Sequence, residues 1–126
     1  MGYNIWCIED AVTTREMIKD AFTERGHNFT GYGTFRDFYA AHNSLGKMGC
    51  DVVVLDLFLE EGVNVLEFIE MIKKMKENVP IVIYSGHPRE MWGEKSIKSG
   101  ASLYVEKQAR PDELVEIVEA LIKPNE

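Results

Sequence analysis

The chain has 126 residues, of which 45% are hydrophobic and 28% charged, a composition that excludes a disordered or fibrous protein. That length fits one domain, expected to span residues 1–126, with no room for a second catalytic or effector unit. With 14 basic against 21 acidic residues, the net charge of -7 excludes nonspecific binding to a nucleic-acid backbone as the domain's own activity.

Apolar runs rich in β-branched residues occur at Tyr3 to Ile8, Asn28 to Tyr32, Val52 to Leu57, Ile81 to Tyr84 and Ser102 to Val105. A segment with helical spacing follows each run, which is a βα unit repeated. The VVVLDL and IVIY runs lack polar alternation, as parallel strands covered on both faces do, so an α/β doubly wound sheet is expected. In the first helix, Thr13-Thr14-Arg15-Glu16 has the form of a capping box. Met17, Ile18, Ala21 and Phe22 repeat behind it until Gly26. Leu66, Ile69, Ile72 and Met75 form the apolar face of the third helix. Gly100 closes the fourth, and Pro111 sits in the first turn of the fifth. The fifth helix has an apolar arc wider than one core face needs, so part of it, at Val115 or Ile117, either overhangs the sheet or meets a partner.

No run approaches the roughly 20 apolar residues of a membrane span, and Ile5 to Ile8 is too short for a signal peptide. The two cysteines have no metal-like spacing, and Cys7 reads as a buried small hydrophobe. If Asp10 and Asp56 are level on neighbouring strands, Cys7 and Cys50 are staggered by about 10 Å, too far for a disulfide. A reduced, cytoplasmic setting is expected.

Ligands of open α/β sheets bind beyond the carboxyl ends of the strands. Those ends carry Glu9-Asp10, Asp56, Ser85-Gly86 and Glu106-Lys107. Converging carboxylates repel one another unless a hard divalent cation lies among them, and oxygen-only ligation suits Mg2+, with Mn2+ as a substitute. A carboxylate beside such an ion can accept a phosphoryl group. Lys107 and the Ser85 hydroxyl are of the right type to hold its oxygens.

The acidic pair after the first strand, DLFLEEG after the third, SG after the fourth and the lysine after the fifth occur in order. In this combination the chain resembles the receiver domain of two-component response regulators over essentially its whole length. The resemblance implies a flavodoxin-like five-stranded parallel sheet of order 2-1-3-4-5. It implies Asp56 as phospho-acceptor, with Glu9, Asp10, Asp56 and the backbone carbonyl of Phe58 as Mg2+ ligands. Lys107 and Ser85 are then the pocket cation and switch hydroxyl, and Tyr104 is the switch aromatic that turns inward when Ser85 moves. Phe58 and His87 hold positions that tune dephosphorylation; a phenyl ring cannot hydrogen-bond the attacking water. The implied partners are a histidine kinase or histidine phosphotransfer protein, and a downstream protein target or effector domain that meets the face of the fourth helix, fifth strand and fifth helix. A phosphorylation-dependent homodimer is left open, and neither a membrane nor nucleic acid is implied. Such a protein catalyses its own phosphorylation and dephosphorylation without being a turnover enzyme.

Gln108 follows Lys107 where the family usually has proline, so a trans peptide bond is expected there. Glu60-Glu61 and Asn64 depart from the family's loop, Asn64 as the residue that best tolerates positive φ in place of glycine. Met91 and Trp92 are expected at the start of the fourth helix, with Trp92 either on the partner surface or packed inward, and Gly93 loosening that helix. His27 and His42 read as surface residues. Gly31-Tyr32-Gly33 lacks the third glycine of a dinucleotide loop and reads as a turn. The alternatives are a pseudo-receiver that keeps the fold without being phosphorylated, a flavodoxin-like binding module, and a Mg2+-dependent phosphohydrolase. Acid where a flavin phosphate would sit disfavours the second, and the lack of a cap insertion disfavours the third.

Overall fold

A computed structural model describes residues 2–42, 49–57, 64–75 and 78–123. Strands and helices alternate as β1 (Asn4–Ile8), α1 (Val12–Glu24), β2 (Asn28–Tyr32), α2 (Phe35–His42), β3 (Val52–Leu55), α3 (Val65–Met75), β4 (Ile81–Ser85), α4 (Arg89–Ser99), β5 (Leu103–Glu106) and α5 (Pro111–Ile122). All strand pairs are parallel, in the order β2-β1-β3-β4-β5. This is the flavodoxin-like, doubly wound sheet expected from the sequence.

Strand periodicity divides the core into two layers. Trp6, Ile8, Val53, Leu55, Ile81, Ile83 and Tyr104 pack on one side, against Phe35 and Phe38 of α2 and Ile69 and Ile72 of α3. Ile5, Cys7, Val52, Val54, Val82, Tyr84 and Val105 pack on the other, against Ile18 and Phe22 of α1 and Leu114, Val115 and Val118 of α5. With helices on both faces, every residue of β3 and β4 is buried, which is why those runs show no polar alternation.

Several local expectations are corrected. The Thr13 capping box does not form; α1 begins two residues earlier than that cap would place it, at Val12, with Ala11 extended at its N-cap and its carbonyl accepting the N–H of Arg15 at 2.9 Å. The Ala11 N–H is satisfied instead by Glu9 Oε2 at 3.3 Å. Met17 lies outside the core stripe and is exposed, as is Val12. The strand expected to reach Leu57 stops at Leu55. Gly31 and Tyr32 belong to β2, not to a turn, and a Cβ on Gly31 would lie 2.9 Å from Cδ of Arg15, so glycine leaves a trough for that side chain. Asn64 is not at positive φ, since no described non-glycine residue is. Its Oδ1 accepts the Leu66 N–H at 3.1 Å ahead of α3. No described peptide bond is cis, that of Lys107 to Gln108 included. Cys7 is level with Val54, and Cys50 precedes that partner by four residues, about 13 Å along the strand. Both cysteines are buried, and neither forms a disulfide.

Neither His27, beside β2, nor His42, the last residue of α2, is a free surface residue. His27 is 7% exposed; its Nδ1 accepts the Tyr3 N–H at 3.0 Å and its Nε2 faces Glu119 Oε2 at 2.7 Å. The His42 ring stacks on Trp6 at 3.6 Å, and its Nε2 meets the Tyr32 hydroxyl at 2.6 Å. His42 Nδ1 is buried without a partner among the described residues, and burial lowers the pKa below 6.5. The unfolded chain therefore takes up this proton at higher pH than the folded one, so stability contributed by neutral His42 falls as pH drops below about 6.5. His42→Phe is expected to flatten that slope, read as urea midpoints at about pH 7.5 and about pH 5.5; an unchanged slope rejects it.

Candidate functional site

The ladder itself carries the polar residues to one end of the sheet. Beyond β1, the Glu9 N–H donates to the Tyr32 carbonyl at 2.9 Å, and beyond β3 the Asp56 N–H donates to the Ile8 carbonyl at 3.0 Å. Beyond β5, the Lys107 N–H donates to the Ser85 carbonyl at 2.7 Å. Because Ile8 is paired with Leu55, the residue level with Asp56 is Glu9, not Asp10 as assumed for the cysteine stagger. Arg15 braces this turn, its guanidinium donating to the Glu9 carbonyl at 2.6 Å.

Glu9, Asp10 and Asp56 bring carboxylate oxygens within 4.8 Å of one another. Glu9 is 2% exposed and Asp56 8%, whereas Asp10 is open to solvent. Lys107 Nζ donates to Glu9 Oε1 at 2.7 Å and lies 3.7 Å from Asp56 Oδ2. Burial raises the pKa of Glu9, and the nearby Asp56 adds to it against the hydrogen bond from Lys107. Asp10 is raised as well, first by desolvation and then by Glu9. For Lys107 burial acts downward, but its bond to Glu9 and the charges of Asp56, Glu9 and Asp10 carry it above the ordinary lysine value. Among the described residues the pocket thus holds three acids against one nearby ammonium, with hard oxygen donors converging, the donor set that a small divalent cation prefers. Cys7, behind it, has its thiol pushed up by burial and is not a nucleophile.

Ser85 is fully buried at the end of β4, and its Oγ accepts the His87 N–H at 3.1 Å. The Tyr104 hydroxyl donates to the His87 carbonyl at 2.8 Å, and the residue is 5% exposed. Burial raises the phenol, with the adjacent Ser85 side chain pulling the other way. Tyr104 is therefore turned inward, with Ser85 buried at the neighbouring strand end. Phe58, with Glu60 and Glu61, lies outside the described residues. Trp92 is half-buried against the core cluster that includes Ile69 and Tyr104, with Lys95 over its ring at 5.1 Å, while Met91 is exposed. In α5, Val115 is buried and Ile117 half-buried.

Two contributors are missed by sequence reasoning. Arg15 reads only as part of a capping box, and Arg89 carries no signal; each acts through a backbone carbonyl, of Glu9 and of Tyr104, a contact no residue spacing encodes.

The chain is similar to known proteins along nearly its whole length. This chain is 27% identical to the chemotaxis protein CheY of Thermotoga maritima over 98% of its own length and all of that protein. It is 26% identical to the phosphate regulon transcriptional regulatory protein PhoB of Escherichia coli over 98% of its length but 53% of that relative, so it spans about half of PhoB. Among solved structures, NtrX of Brucella abortus superposes with a TM-score of 0.86 at 25% identity, over 98% of this chain and 27% of that one. The sequence pattern of the response regulator receiver domain matches residues 5–119, and with that match the chain belongs to the response regulator receiver domain family.

Proposed function

We propose that residues 1–126 form a single phospho-accepting switch of a two-component phosphorelay, with Asp56 as the acceptor. The observation that carries this is the convergence of Glu9, Asp10 and Asp56 on one pocket with Lys107 across it. Glu9, Asp10 and Asp56, with the Phe58 carbonyl, would hold Mg2+ or Mn2+. Such an ion, when bound, would supply neutralisation of charge on the transferred phosphoryl oxygens.

The chain's own residues supply the rest. An oxygen of the Asp56 carboxylate attacks phosphorus, the bond to the donor breaks, and the donor leaves with its electron pair, giving an acyl phosphate. Lys107 already lies 3.7 Å from Asp56 and is held protonated by its neighbours, so it can pair with the new charge. The Ser85 hydroxyl serves the same oxygens by hydrogen bonding, with Tyr104 as the switch aromatic packed inward beside it. Phe58 and His87 act as tuning residues for hydrolysis. The face of α4, β5 and α5 is the surface offered to a protein target, and a histidine kinase or histidine phosphotransfer protein is the donor. Among the described residues no helix is long and apolar enough to cross a membrane, in keeping with a cytoplasmic role.

Incubation with acetyl phosphate and Mg2+ should add a phosphoryl mass that survives acid, is removed by hydroxylamine, and maps to the peptide carrying Asp56. No modification in the presence of Mg2+ would favour the pseudo-receiver.

A further inference from the structure

The first turn of α4 is tied to β5 by a side chain that the acidic pocket does not use. Arg89 opens α4; its backbone N–H donates to Glu106 Oε1 at 3.1 Å, and its guanidinium donates to the Tyr104 carbonyl at 3.1 Å. β5 is the last strand of the sheet, so a carbonyl on its outer side has no ladder partner. Tyr104 is thereby held at both ends, through its carbonyl by Arg89 and through its hydroxyl by the His87 carbonyl. His87 in turn donates its N–H to the Ser85 hydroxyl. A continuous set of hydrogen bonds runs from the pocket hydroxyl through His87 and Tyr104 to Arg89.

Gly93 accounts for the reach of this arginine. It lies one turn later in α4 and is buried, and a Cβ there would stand 2.7 Å from Cγ of Arg89. The arginine stem occupies the space that any other residue would fill. Glycine is disfavoured inside a helix, so this position needs a reason beyond loosening α4, and the seat for Arg89 provides one.

We propose that Arg89 is a positioning residue that keeps Tyr104 inward by fastening β5 to α4, with Gly93 as its seat. Two grooves, of about 430 and 370 Å3, flank β5 on the sides of α5 and α4, and both have Arg89 and Tyr104 in their walls. Releasing Arg89 reshapes both together. The signalling consequence rests on the phosphoryl-switch reading; the fastening is a property of the unmodified chain.

The test is 19F NMR of the full chain carrying fluorotyrosine, with the Tyr104 resonance assigned by its loss in Tyr104→Phe and its exposure read from the H2O/D2O shift. In the unsubstituted chain the resonance should be protected. Arg89→Met, which keeps the stem but has no donor, should move the inward-outward equilibrium toward exposure by roughly tenfold, the worth of one hydrogen bond from a charged donor. Arg89→Ala should match it, and Arg89→Lys should recover most of the protection. Gly93→Ala should mimic Arg89→Met although alanine favours the helix, and should add nothing when combined with Arg89→Met. A protected Tyr104 in folded Arg89→Met, or a Gly93→Ala effect that persists without Arg89, overturns the proposal. Titrating beryllofluoride with Mg2+ into the unsubstituted chain by calorimetry separates the two readings: no binding there would overturn the phosphoryl switch and leave the Tyr104 result standing.

Discussion

Lys107→Met is expected to destabilise the Mg2+-free protein by about 2–3 kcal/mol and to reduce phosphorylation from acetyl phosphate at least tenfold. The stability loss comes from Glu9 rather than from the lysine itself. Glu9 is 2% exposed and its Oε1 is 2.7 Å from Lys107 Nζ, so removing the ammonium leaves a buried carboxylate beside Asp56 with no cation of its own. Removing one partner of a buried pair costs about 3–5 kcal/mol, and the partial exposure of Lys107, 28%, brings the figure down. Methionine retains most of the aliphatic stem and removes the ammonium, which lies 5.9 Å from the centre of the Tyr84 ring, so the change acts mainly on charge. Saturating Mg2+ should recover part of the stability, because a cation among the carboxylates does the same electrostatic work, but not the phosphorylation rate, which needs a donor at the Asp56 oxygens. Urea unfolding with and without Mg2+ reads the first effect, and the rate of mass gain reads the second. A loss below about 0.5 kcal/mol would mean that Glu9 is not ionised in the folded chain.

That experiment turns on a register that the sequence alone does not contain. The strands were legible because β3 and β4 are buried on both faces, which forces uninterrupted runs of Val, Ile and Leu. The acids were legible because a strand end is where such a sheet presents its chemistry. Which acid lies level with Asp56 depends on the pairing of Ile8 with Leu55, a contact between distant segments, and a shift of one residue exchanges the buried Glu9 for the exposed Asp10. The strand order came with the family resemblance, not from any run of residues. His27 illustrates the same limit. Beside a loop, with no ligand-spaced neighbour, it reads as a surface residue, yet its partner Glu119 lies 92 positions away on α5. The Thr13 cap failed for a related reason: the donor it would have satisfied at the start of α1 is displaced by a helix that begins earlier, where the Glu9 carboxylate already serves the Ala11 N–H. Local signals were overridden where another residue offered the stronger partner, Glu119 for His27 and Glu9 for the Ala11 N–H.

Asp10→Asn is expected to move stability and function in opposite directions. Asp10 is exposed and, among the described residues, has no close cation comparable to the Lys107 of Glu9; its pKa is raised, first by desolvation and then by the neighbouring Glu9. An acid with a raised folded pKa contributes less stability once pH rises past its unfolded value, so at neutral pH its charge is a burden on the Mg2+-free fold. Asparagine keeps the shape and removes that charge, and the urea midpoint without Mg2+ should rise. The same charge is one of three that converge within 4.8 Å, and losing it from an oxygen-ligand set should weaken Mg2+ binding at least tenfold. Calorimetric titration with Mg2+ and urea unfolding of the Mg2+-free protein read the two effects separately. If Mg2+ affinity holds while the midpoint rises, Asp10 is only a repelled surface acid and the ion is held by Glu9 and Asp56 without it. If both fall together, Asp10 supports the β1–α1 turn structurally, and the repulsion inferred from its raised pKa is too weak to matter. Only the opposed pair of results fits a pocket whose mutual repulsion is maintained for the sake of the cation.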